Sequence, residues 1–128
     1  MTKILILFLC IFICLVSCRT KSVRRFEINQ NFSIMSLGDV NDFVIAIDDD
    51  GYWIGVTPPN LKRVWITKDN EQLVAQVDIV GVASSWFVVN LKNNSPKECV
   101  KGPLSKNQVI DSMPNFDQQS DTIWEYSK

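Results

Sequence analysis

Beyond residue 25 the hydrophobic pattern has a period of two and is rich in β-branched and aromatic residues, which predicts strands rather than helices. Phe43, Ile45 and Ile47 alternate with smaller or polar neighbours, Asp48-Asp49-Asp50-Gly51 interrupts them, and Tyr52, Ile54 and Val56 resume the alternation. A hairpin with a four-residue loop sets Ile47 opposite Tyr52, Ile45 opposite Ile54 and Phe43 opposite Val56, with all six on one face. Thr57-Pro58-Pro59-Asn60 breaks the pattern, because proline has no amide donor for a ladder. Arg63 to Thr67 reads as the next strand, turned back by Lys68-Asp69-Asn70-Glu71. Leu73, Ala75, Val77 and Ile79 then share a face, with Gln76 and Asp78 on the other. Trp86 to Leu91 is apolar on both faces, which suits a central strand, and Lys92 to Pro96 is a polar turn.

The one strong helix start is Ser105-Lys106-Asn107-Gln108, a capping box that follows Gly102-Pro103-Leu104. Val109, Ile110 and Met113 supply a short apolar face, and Pro114 ends it. Asn115 to Thr122 is polar, and Ile123-Trp124-Glu125-Tyr126 offers a late apolar clip, as an edge strand or a tail packed over the sheet. Consecutive strands joined by short loops make an antiparallel meander the simplest topology. The expected class is α+β, mainly β: a meander sheet with one short helix near the C-terminus.

The amino-terminal segment follows a different rule. After Met1-Thr2-Lys3, an unbroken run of 13 apolar residues extends from Ile4 to Val16. As a helix this run spans about 20 Å, short of the ~30 Å of a bilayer core, so it has the dimensions of a signal-peptide h-region. It ends in Leu15-Val16-Ser17-Cys18, which resembles the lipobox of bacterial lipoproteins. The resemblance implies cleavage after residue 17 and lipid attached to the Cys18 thiol. Two or more acyl chains hold a protein stably on a membrane where one does not. Arg19 and Thr20 follow, so the family's inner-membrane retention residue, an aspartate directly after the cysteine, is absent. The implied location is the outer membrane facing the periplasm in a Gram-negative host, or the outer face of the cytoplasmic membrane in a Gram-positive one. Trp86 to Leu91 together with Lys101-Gly102-Pro103-Leu104-Ser105 is also similar to stretches of small bacterial lipoproteins that have no assigned activity. The expected organisation is a signal peptide over 1–17, a lipidated basic tether over 18–25 that holds four cations, and one β-rich domain over 26–128. The tether suits either anionic headgroups or a plain solvated spacer.

Composition narrows the chemistry. The 128 residues include no histidine, which removes Ser-His-Asp and Cys-His nucleophiles and imidazole metal ligands. Net charge is −1, without the basic excess of a nucleic-acid binder. Of four cysteines, Cys10 and Cys14 lie in the leader and Cys18 takes the lipid, so only Cys99 is left in the domain. Its two readings are a reactive thiol beside Lys97 and Lys101, or a small buried hydrophobe. Aligning Asp48-Asp49-Asp50-Gly51 to an EF-hand leaves Ala46 at the first ligand position and Thr57 where the bidentate Glu belongs, so the EF-hand is rejected and the triplet reads as a solvated hairpin turn or, at most, a weak surface cation site. No Ser-x-x-Lys or Gly-x-Ser-x-Gly motif and no glycine-rich phosphate loop occurs. Neither a cofactor nor a metal is implied.

Two tryptophans remain as candidate binding residues. Trp53 and Trp65 each project from the face opposite the main apolar set, either as an exposed platform for a glycan or protein or as a second small core under the helix and the Trp124 clip. The expectation is a membrane-anchored, non-catalytic envelope module that binds a protein or glycan, as inhibitors, immunity proteins and assembly accessories do. The alternatives are a small envelope enzyme using Asp48 to Asp50 or Cys99, and a purely structural lipoprotein.

Overall fold

In a computed structural model of the full chain, the structure describes residues 24–36, 42–79, 84–114, 116 and 120–126. The leader, Cys18 and tether positions 18–23 lie outside the described residues. The chain forms β1 (Arg25–Glu27), β2 (Phe32–Ser36), β3 (Phe43–Asp49), β4 (Tyr52–Gly55), β5 (Leu61–Thr67), β6 (Gln72–Val77), β7 (Ser85–Asn90), β8 (Val100–Leu104), α1 (Lys106–Ser112) and β9 (Ser120–Glu125). All pairings are antiparallel. The mainly-β class with one short helix near the C-terminus is therefore present.

The expected single meander divides at Thr57-Pro58-Pro59-Asn60 into two sheets, ordered β1-β2-β3-β4 and β8-β7-β6-β5-β9. One face of each sheet meets the other in a shared core, with Phe32, Ile34, Ile45 and Ile47 from the first and Leu61, Val64, Leu73, Ala75, Val77, Phe87 and Val89 from the second. Division is the physical solution for a chain with this many strands, since each sheet needs one apolar face covered. The side chain of Thr57 helps to hold the crossing, because its buried Oγ1 accepts a hydrogen bond from the Ile45 amide at 3.0 Å.

The far face of the larger sheet carries a second cluster. Val74, Trp86, Val109 and Phe116 are buried there, with Trp65, Leu104, Ile110 and Met113 packed around them. Helix α1 is the cover, and its start is the capping box read from the sequence. The Ser105 Oγ accepts from the Gln108 amide at 3.2 Å, and the Gln108 side chain accepts from the Ser105 amide at 2.8 Å.

Three strands, β1, β2 and β8, have no counterpart among those expected. The first brings Arg25 into the sheet, paired with Met35, although the sequence reading assigned it to the tether. β8 contains Gly102-Pro103, a pair that argues against a strand interior. Its position at the sheet edge and the register shift between Trp86 and Val88 opposite it make the proline tolerable.

Candidate functional site

The hairpin β3–β4 departs from its expected register by two residues. Ile47 pairs with Ile54, Asp48 with Trp53 and Asp49 with Tyr52, so the turn is only Asp50-Gly51. Both turn residues have positive φ, 50° and 86°, the signature of a type I′ turn, which suits the right-handed strand twist. Asp48 Oδ1 accepts from the Gly51 amide at 2.9 Å and reinforces it. A slip of two preserves faces, so Tyr52, Ile54 and Val56 still share the side of Ile45 and Ile47.

Sharing that side does not bury them. β4 is the outermost strand of its sheet, and Tyr52 is 77% exposed and Ile54 39% exposed. With Phe26 at 41%, on the opposite edge strand, they are the large apolar side chains the fold leaves open among the described residues. On the other face, Trp53 lies beneath the Arg25 guanidinium, whose carbon is 4.5 Å from the ring centroid. Arg25 Nε also donates to Ser33 Oγ at 3.1 Å. One face of the Trp53 ring is thus already occupied by a cation.

Trp65 belongs to a different sheet and a different environment. It stacks on Trp86 with centroids 5.3 Å apart and meets Phe116 edge-on at 5.8 Å. The two tryptophans do not form one platform, and Trp65 is part of the second core under α1. Trp124 is not part of that cover, since it packs on Phe43 at 5.1 Å beside the main core.

Cys99 is 2% exposed within the main core, and burial raises the pKa of its thiol. The thiolate is the reactive form, so this environment suppresses nucleophilic chemistry. The three aspartates differ in setting. Asp48 is half-buried opposite Trp53, whereas Asp49 and Asp50 are exposed. Among the described residues no ion pair engages any of the three, and no cluster of three or more acidic or cysteine side chains is placed to hold a metal.

An open cleft of about 520 Å³ lies between the β5–β6 turn and the end of α1, lined in part by Thr67, Asp69, Gln72, Met113, Phe116 and Ser120. Asp69 is held below the usual carboxylate range by the Thr67 hydroxyl and then by the Glu71 amide. Its carboxylate is therefore engaged in shaping the turn. Ser120 Oγ is shielded from solvent and has no hydrogen-bond partner among the described residues, which is a cost to the fold.

Sequence reasoning could not single out Tyr52 and Ile54, which carry an inward-facing pattern. The missing information was their place at the end of the strand order. No helix among the described residues is long and apolar enough to cross a membrane. The chain matches no family model, no curated protein and no solved structure.

Proposed function

We propose that this chain is a lipid-anchored lipoprotein of the bacterial cell envelope whose β domain binds a protein partner without transforming it. The observation that carries the binding role is the pair Tyr52 and Ile54, large apolar side chains left open on an outermost strand. Rigid aromatic and aliphatic side chains of this kind are the usual anchors of protein interfaces. A protein is favoured over a glycan because Arg25 already covers one face of Trp53, and a sugar ring stacking on that face has to displace it. The enzymatic alternative is weakened by the burial of Cys99 and its raised pKa. Cys18, following Leu15-Val16-Ser17, supplies the anchor, with the membrane face set by the host as described above.

Two measurements on the full chain expressed in a bacterial host test this reading. Intact mass of the membrane-extracted protein should show loss of residues 1–17 and diacylglycerol on Cys18, and a Cys18→Ala variant should leave the membrane fraction. A retained leader or an unmodified Cys18 overturns the anchor. A photo-crosslinking residue at position 52 should capture a discrete envelope protein, whereas one at buried position 74 should not. Equal labelling at both positions, or none at 52, overturns the binding role.

A further inference from the structure

We infer that β4 receives an extended, cationic segment of the partner as a fifth strand of the four-stranded sheet. The inference rests on the binding role just proposed and specifies its geometry. The Val56 amide donates to the Ile45 carbonyl at 2.8 Å, and Tyr52 pairs with Asp49 across a two-residue turn. Backbone groups alternate in direction along an antiparallel strand. Tyr52 and Ile54 therefore turn their N–H and C=O groups toward β3, as Val56 turns its N–H, and Trp53 and Gly55 turn theirs outward. No strand among the described residues pairs with that side of β4. A partner strand gains backbone hydrogen bonds at Trp53 and Gly55, and its alternate side chains fall beside Tyr52 and Ile54.

Charge selects the occupant. Asp48, Asp49 and Asp50 stand at the turn end of this edge, unengaged by any ion pair among the described residues. A Lys or Arg at the end of the incoming segment meets them, and carboxylates at the surface attract it over a Debye length of about 8 Å in physiological salt. A second copy of this chain is a poorer occupant. Its own β4 edge, residues 48–60, holds three aspartates and no Lys or Arg. Of the chain's own cationic residues, Arg25 is already placed in β1, the opposite edge of the sheet.

The test uses the full lipidated chain in detergent micelles, with a capped Lys-Val-Thr-Val-Thr-Val-Lys peptide and its Glu-for-Lys counterpart as probes. Amide hydrogen exchange at Trp53 and Gly55 should slow saturably with the lysine peptide and not with the glutamate one. Asp49→Asn combined with Asp50→Asn should weaken the lysine peptide by about threefold to tenfold, the scale of one or two surface ion pairs. The Asp50→Asn change keeps a residue that tolerates positive φ. Absence of protection at Trp53 and Gly55, equal protection by both peptides, or protection that rises with protein concentration alone overturns the inference, the last in favour of a second copy. Capture of a partner through position 52 without strand addition sinks this geometry and leaves the binding role standing.

Discussion

Arg25 and Trp53 sit on the first and last strands of the same four-stranded sheet, yet the guanidinium lies 4.5 Å from the centre of the indole ring. Three strand spacings, about 14 Å, separate their backbones. Two long side chains close that distance over a face kept low by Ser33 and Ala46, which are paired with each other and buried. The contact ties the two edges of the sheet together on the side away from the core. In a double-mutant cycle read by urea unfolding, Arg25→Ala and Trp53→Ala should be coupled by about 0.5–1 kcal/mol. Arg25→Lys should recover part of the charge contact but lose the planar guanidinium that also reaches Ser33. Additive single-mutant effects would show that the two side chains are merely adjacent.

Glycine substitutions should rank by what a Cβ meets. At Gly102, with φ of 154°, a Cβ falls 2.5 Å from Phe87 Cδ1 and 2.9 Å from the Trp86 carbonyl oxygen. Gly102→Ala therefore forces a shift in the buried strand β7 and should cost about 1–3 kcal/mol. Gly51→Ala meets nothing within 4 Å, and its penalty, about 1 kcal/mol, comes from φ of 86° alone. Gly55→Ala makes only an ordinary contact with Val44 at 3.5 Å and should be the mildest. Denaturation midpoints of the three variants check the order.

Cys99 should resist alkylation in the native protein. Its thiol is buried, its pKa is raised by loss of solvation, and its Sγ donates a weak hydrogen bond to the Pro96 carbonyl at 3.8 Å. A maleimide should label it at a rate that tracks unfolding and rises sharply through the urea transition. Because the raised folded pKa keeps the thiol neutral, the stabilisation linked to it is complete below the unfolded-state pKa and is lost as pH rises through the folded one. Fast labelling under native conditions would place the thiol at the surface.

Ser105→Ala should remove one half of the reciprocal cap of α1 and cost about 1 kcal/mol. Because α1 covers Trp86, loosening its first turn should also reduce the near-ultraviolet dichroism of the Trp65–Trp86 stack. Ser105→Asp should retain most of both signals, since a carboxylate also accepts from the Gln108 amide. An unchanged spectrum for the alanine variant would mean that tertiary packing alone holds the helix in place.

Local chemistry was readable wherever neighbours in sequence decide the outcome. Ser105 and Gln108 are one helical turn apart and satisfy each other, so their motif predicted α1 without knowledge of the rest. The alternation at Leu73, Ala75 and Val77 needed only the period of a strand, and the doubly apolar segment from Trp86 falls in β7, an interior strand flanked by β8 and β6.

What tertiary structure alone decided is which surfaces meet. The Asp-rich loop, expected to hold four residues, closes in two, with Asp50 and Gly51 at positive φ. The alternation of Tyr52 and Ile54 looked the same as that of Phe43 and Ile45, yet the strand order buried Ile45 and left Tyr52 open. Trp53 and Trp65 were equivalent as sequence features. One now lies under Arg25 on the smaller sheet and the other under α1 on the larger, because a period of two assigns a side chain to a face but cannot say what covers it.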